Sequence, residues 1–357
     1  MSGKEVEMAG WTKEEIVIAG GAKVAAQMPV IISASRSTDV PAFYADWFME
    51  RLKAGYVKWY NPFNGVPLYV SFAKTRLIVF WSKNPAPLLK PMKDGGEAPI
   101  DILERERRNY YLQFTLNDYY DERIEPNVPP VADRISTFIE ISKRISHHAK
   151  DRIVWRFDPL ILTDKITPKT LLDKIKRIGD QLAPYTSRLV FSFIDINAYA
   201  KVGKNLQNGG VAAREFSSDE MLEMANGISS LAREWGIAAA TCGEAADLPG
   251  IEHNRCIDDR LILRCFSHDK ELMEFIGAKF APGSPLFGEG DRWVLDAYKK
   301  DKGQRLACGC ISSKDIGEYN TCPHLCHYCY ANTNNAAATA NWKRHCECPH
   351  AETITGK

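Results

Sequence analysis

The sequence predicts an α/β fold, a full or partial (β/α) TIM-like barrel closed by a cysteine-rich C-terminal segment. Three observations lead there. Short runs rich in β-branched and aromatic residues recur along the chain, helical patterns separate them, and the runs end in polar residues. A doubly wound sheet is the second choice.

The candidate strands span 30–33, 56–60, 77–81, 110–115, 153–157, 189–194 and 237–241. Their near-continuous Val, Ile, Phe, Tyr and Trp content suits parallel strands buried on both faces. A helix is expected from Pro41 to Ala54, after an Asp39 cap and before Gly55. A second should run from Ser218 to Trp235, with Met221, Leu222, Ala225, Ile228, Leu231, Ala232 and Trp235 on its apolar face.

The expected organisation is an N-terminal extension over 1–27, the barrel over 28–300, a cysteine-rich cluster-binding segment over 301–335 and a flexible tail over 336–357. Net charge is +1, so no global field favours nucleic acid or an anionic membrane surface. No apolar run is long enough to span a bilayer, and 16–19 is too short for a secretory core. A cytoplasmic location is expected.

In a barrel, strand ends converge on one mouth, where binding groups collect. Arg36 follows the first strand, Lys83 and Asn84 the third, and Gln113 lies at the end of the fourth. Arg156 and Asp158 mark the fifth, Asp195 the sixth, Glu244 the seventh. Arg156 suits a carboxylate, because its planar fork meets both oxygens. Glu244 suits an ammonium group. For each residue alone, capping, turn chemistry or internal pairing explains its presence about as well.

The chain has 10 cysteines, and five of them fall between Cys308 and Cys329. Cys322, Cys326 and Cys329 have the spacing C-x₃-C-x₂-C. Three thiolates on one loop can each hold an iron of a [4Fe–4S] cube, leaving the fourth iron open to a ligand. Zinc completed by His324, His327 or His345 is the alternative. Cys242, Cys256, Cys308 and Cys310 are four further thiols, enough for a second iron–sulfur cluster or a zinc. The tail run His345-Cys346-Glu347-Cys348-Pro349-His350 reads as adventitious.

The segment Cys322-x₃-Cys326-His327-Tyr328-Cys329 resembles the radical S-adenosylmethionine signature, with Tyr328 at its aromatic position. That resemblance implies a [4Fe–4S] cluster whose open iron chelates S-adenosylmethionine, with Tyr328 near the adenine. One electron from a low-potential donor such as flavodoxin or ferredoxin then generates a 5′-deoxyadenosyl radical that acts on an unknown substrate.

Over 29–332 the chain resembles the domain-of-unknown-function family 1848. The motifs are Ile32-Ser-Ala-Ser-Arg36-Ser-Thr-Asp39, Asn61-Pro-Phe-Asn64, Val79-Phe-Trp-Ser-Lys-Asn-Pro85, Trp155-Arg-Phe-Asp-Pro159, Ser192-Phe-Ile-Asp195 and Asp315-Ile-Gly-Glu-Tyr-Asn-Thr-Cys322. Two of them, 79–85 and 155–159, are also similar to the spore photoproduct lyase branch, which would imply a nucleic-acid lesion as substrate. Radical S-adenosylmethionine enzymes usually place their cysteines after the first strand, whereas here they follow the last. A late strand over 316–321 beside the first would reconcile the two. The Gly-Gly-Glu run that commonly holds the methionine amino group is absent. A non-catalytic iron–sulfur or zinc protein is the alternative of a different class.

Overall fold

The computed structural model describes residues 11–62, 64–283 and 290–357. The chain opens with the hairpin β1 (Lys13–Val17) and β2 (Lys23–Gln27). Next come β3 (Ile31–Ala34), α1 (Val40–Phe43), α2 (Ala45–Ala54) and a second hairpin, β4 (Tyr56–Tyr60) and β5 (Pro67–Ser71). The middle of the chain holds β6 (Leu77–Ser82), α3 (Pro99–Arg105), β7 (Tyr110–Thr115), α4 (Val131–Arg144), α5 (Ala149–Arg152) and β8 (Ile153–Leu160). It continues through α6 (Pro168–Leu182), β9 (Arg188–Phe193), α7 (Ala200–Asn208), α8 (Ser218–Trp235), β10 (Ala238–Thr241) and β11 (Glu252–His253). The last elements are α9 (Asp259–Phe266), α10 (Lys270–Ile276), β12 (Ala278–Ala281), β13 (Arg292–Leu295), β14 (Lys314–Asp315) and α11 (Asn335–Glu347).

Eight parallel strands form the main sheet, in the order β11-β10-β9-β8-β7-β6-β3-β14. From β3 to β11 that order follows the chain in one direction, without the reversal that defines a doubly wound sheet. Among the described residues β11 and β14 are unpaired edges, so the sheet is open and not a hydrogen-bonded closed barrel. The late strand expected over 316–321 forms two residues earlier, and it lies beside β3, with Lys314 opposite Ile32 and Asp315 opposite Ser33.

Alternation along the strands feeds two cores. Ile32, Phe80, Leu112, Phe114, Trp155, Phe157 and Phe191 face α2, α4, α6 and α8. Ile31, Val79, Tyr111, Val154 and Val190 face the other way, onto Leu261, Ile262, Phe266 and Met273 of α9 and α10. Burial on both faces is why these strands read as continuous apolar runs.

Several expectations change. Residues 56–60 do form a strand, but in a separate four-stranded sheet of order β1-β2-β5-β4. The Asn61-to-Gly65 turn, in which Gly65 takes a φ of 68°, folds β4 back antiparallel onto β5. The helix expected over 41–54 is split at Tyr44 into α1 and α2, while Asp39 caps it as expected, its Oδ1 accepting from Ala42 N at 3.0 Å. α8 has the expected bounds and a Ser217–Glu220 capping box. Its buried face, however, uses Met224 and leaves Leu222 exposed.

The segment expected as a flexible tail is folded onto the body. Trp342 and His345 of α11 pack on Tyr44, and Glu352 Oε1 accepts from Tyr56 Oη at 2.5 Å. Thr353, Ile354 and Thr355 are buried. Ala338 and His345 give an otherwise polar helix its buried contacts, which composition alone did not disclose. The described part of the expected extension, residues 13–27, is the β1–β2 hairpin, joined to β5 through β2. No helix among the described residues is long and apolar enough to cross a membrane.

Candidate metal centre

The loop carrying Cys322, Cys326 and Cys329 is fixed from several sides. Tyr44 Oη donates to Thr321 O at 2.6 Å, and Asn127 Nδ2 donates to Pro323 O at 2.8 Å. His327 N donates to Ile124 O at 2.9 Å. Asn332 closes the loop, its Nδ2 donating to Cys322 O at 2.8 Å, while Asn205 of α7 donates to Cys329 O at 2.8 Å. Within the loop, Leu325 takes a φ of 55° and Cys329 N donates to Cys326 O at 3.1 Å.

Backbone N–H groups are aimed at two of the sulfurs. Asp39 and His324 face Cys322, and Ala331 and Asn332 face Cys329, the last at 3.3 Å from N to Sγ. Burial pushes all three thiols above their ordinary value, and the charge of Lys83 works against this at Cys326 and Cys329. A metal that replaces the protons relieves that penalty. Among the described residues, the three-ligand group with atoms mutually within 4.8 Å is His148, Asp151 and Cys265, so the loop sulfurs are spread wider. Tetrahedral zinc at Zn–S about 2.3 Å needs sulfurs about 3.8 Å apart. That spread is wider than a single tetrahedral zinc asks of its sulfurs.

The loop histidines are engaged elsewhere. His324 places Nε2 2.9 Å from Asp39 Oδ2 and Nδ1 3.2 Å from Asn127 O. His327 lies against Gly209, where a Cβ would stand 2.2 Å from its Nδ1. His345 is buried, which lowers its pKa to about 4, and its ring stacks on Trp342. In the tail run, Cys346 and Cys348 are exposed and His350 pairs with Glu50 at 2.8 Å.

Tyr328 enters a buried polar network at the ends of β6 and β7. Its hydroxyl donates to Glu125 Oε1 and accepts from Lys83 Nζ at 2.6 Å and Asn117 Nδ2 at 3.0 Å. Lys83 Nζ also donates to Glu125 Oε1 at 2.9 Å. Burial alone would raise the Glu125 pKa, but Lys83 and Arg134 hold it down at about 2. For Lys83, burial opposes the charge and Glu125 and Cys326 outweigh it, so the pKa is raised.

The remaining strand-end residues separate into two sets. Arg156, Asp158, Gln113 and Arg36 gather at Cys242, Cys256, Cys308 and Cys310. Arg156 Nη1 donates to Cys256 Sγ at 3.2 Å and to Gln113 Oε1 at 3.2 Å, and Gln113 Nε2 donates to Cys256 O at 2.9 Å. The fork of Arg156 is filled by Asp158 Oδ2, which accepts from both Nε and Nη2, so it is not the open carboxylate clamp expected. Arg36 lies 5.0 Å over the Trp81 ring, and its backbone N donates to Asp315 Oδ2 at 2.8 Å.

The other set serves local structure. Asn84 Oδ1 accepts from Ala86 N at 3.4 Å, shaping its own turn. Glu244 Oε1 accepts from Ala245 N at 2.8 Å and Ala246 N at 3.1 Å, so the expected ammonium ligand caps a turn instead. Asp195 pairs with Arg305 at 3.3 Å, and burial raises its pKa. Sequence reasoning missed Glu125 and Arg134, and met Asp315 only as the start of a family motif. Asp315 binds Ser33 Oγ at 2.8 Å and Ser35 Oγ at 2.5 Å, tying the cysteine segment to β3.

A family model described as Domain of unknown function (DUF1848) matches residues 31–331. The chain belongs to this family. The DUF1848 match takes in both cysteine groups and stops short of α11. No curated protein and no solved structure matches the chain.

Proposed function

We propose that the chain is an iron–sulfur enzyme of the radical S-adenosylmethionine type, acting on a substrate still to be identified. The observation that carries this reading is the cysteine loop: three thiols, one buried and two half-buried, too far apart for one zinc, two of them met by backbone N–H groups, with His324 turned away to Asp39. Three protein ligands leave one iron of a [4Fe–4S] cluster free. When bound, that cluster would pass one electron from a low-potential donor into S-adenosylmethionine, releasing methionine and a 5′-deoxyadenosyl radical that takes hydrogen from substrate.

The chain's own residues orient and exclude. Cys322, Cys326 and Cys329 would hold the irons. Lys83 supplies a buried positive charge that favours thiolate at Cys326 and Cys329. Glu125 and Asn117 hold the Tyr328 hydroxyl, which fixes the ring beside the loop.

The test is anaerobic reconstitution with iron and sulfide, followed by reduction and addition of S-adenosylmethionine. Uptake of about four irons at this loop and broad absorption near ~400 nm are expected. The EPR signal of the reduced cluster should shift with S-adenosylmethionine, and methionine and 5′-deoxyadenosine should appear. Stoichiometric zinc without iron overturns the reading. An iron cluster that neither responds to S-adenosylmethionine nor consumes it favours an electron-transfer protein.

A further inference from the structure

Four thiols outside the loop gather beside Arg156 and Gln113, and they take no part in the chemistry of that loop. Cys242 follows β10, Cys256 follows β11, and Cys308-Gly309-Cys310 precedes β14. Their sulfurs form a chain of neighbours. Cys242 Sγ lies 3.3 Å from Cys256 Sγ, Cys256 adjoins Cys310, and Cys310 adjoins Cys308. All four are free thiols. We propose that Cys242, Cys256, Cys308 and Cys310 hold a second iron–sulfur centre, with every iron position ligated by the protein.

Donors around the sulfurs support this. Arg156 Nη1 stands 3.2 Å and Asn254 Nδ2 3.4 Å from Cys256 Sγ, and Ile257 N stands 3.4 Å from Cys310 Sγ. A neutral thiol is a weak acceptor. N–H groups directed at sulfur are the outer-shell contacts that orient metal-bound thiolates and tune a cluster.

Charge points the same way. Arg156 is buried and Arg36 half-buried against this group, and a buried cationic group needs a compensating anion. Asp158 answers Arg156, but Arg36 Nη2 is buried with no hydrogen-bond partner. The negative groups nearest Arg36 include Cys310, Asp315 and Cys256. Four metal-bound thiolates carry net negative charge, which supplies what Arg36 lacks.

The spacing separates iron–sulfur from zinc. The Cys242 and Cys256 sulfurs are in contact, yet no three of the four lie mutually within 4.8 Å. One zinc needs all four about 3.8 Å apart. Gly309 lets the Cys308–Cys310 turn approach the body, since a Cβ there would stand 2.9 Å from Arg255 Cγ. An open cavity of about 460 Å³, lined by Asn254, Arg255, Tyr298, Ala307 and Gly309 among others, lies beside the chain neighbours of Cys256, Cys308 and Cys310. Ligands and outer contacts are thus both present.

The proposal stands whether or not the 322–329 loop holds its own cluster, and the experiment keeps the two apart. The C322A/C326A/C329A variant is reconstituted anaerobically with iron and sulfide, and its iron, sulfide and zinc per chain are measured with its circular dichroism. About two to four irons with matching sulfide should remain, and adding C308A/C310A should remove them. A folded triple variant without iron, or with one zinc per chain and no iron, overturns the proposal. Should the triple variant fail to fold, C308A/C310A in the otherwise intact chain decides: iron should fall by about two to four per chain, and unchanged iron overturns the proposal.

Discussion

Glu125→Gln isolates the charge that holds the Tyr328 network together. The carboxylate is buried and its Oε1 receives Lys83, Asn117 and Tyr328 at once. Its pKa falls from the ordinary 4.5 to about 2, because Lys83 and Arg134 overcome the cost of burial. At about 1.4 kcal/mol per tenfold change, that difference contributes about 3 kcal/mol to stability at pH 7. The folded-state pKa lies below the unfolded one, so the contribution is complete above about pH 5 and disappears as pH falls through about 2. At pH 3 roughly 1.4 kcal/mol should remain. Urea unfolding of the metal-free protein, followed by tryptophan fluorescence and circular dichroism, measures the deficit of E125Q against wild type at both pH values. Lys83→Met on its own strips Glu125 of its direct ion-pair partner and leaves only Arg134 to offset the buried charge, so the double variant should lose less than the two single losses combined. A deficit under ~1 kcal/mol at pH 7, or one that does not shrink by pH 3, refutes the reasoning.

Asp315→Ala strips acceptors from Ser33, Ser35, Arg36 N and Gly317 N, and should cost on the order of 3 kcal/mol. Hydrogen exchange should quicken around β14 and Ile316 first, since Ile316 N donates to Ser33 O at 3.1 Å. Gly179→Ala sets a Cβ 2.2 Å from the Trp235 ring where α6 meets α8. Overpacking of about 1–3 kcal/mol should outweigh the gain in helix propensity, lowering the thermal midpoint.

The parallel sheet was legible because its strands are buried on both faces and carry the signal in composition. Residues 77–81, 110–115 and 153–157 needed no knowledge of their partners. Residues 56–60 carry the same composition and were assigned to the wrong sheet, because pairing direction is set by the turn that follows. Asn61-Pro62 with Gly65 marks that turn in the sequence. The Ala-rich start of α11 resembled a loose tail because its anchors, Trp342 and His345, lie later in the helix and dock on Tyr44.

The two cysteine groups were legible for a different reason than the residues around them. Cysteines are few, so their spacing carries information without a fold. Both groups could therefore be named before their geometry was known. Arginines and carboxylates are common, and their roles depend on what lies opposite. Arg156 looked like a clamp for a ligand's carboxylate until Asp158 was found in its fork. Glu125 sits in Asp121-Glu-Arg-Ile-Glu125-Pro, which reads as a solvated loop. Only the arrival of Tyr328 from 203 residues further along the chain, together with Lys83 from just after β6, turns it into a buried acceptor. The network that fixes the aromatic beside the cysteine loop is thus assembled from three distant segments, and no spacing rule within any one of them could have announced it.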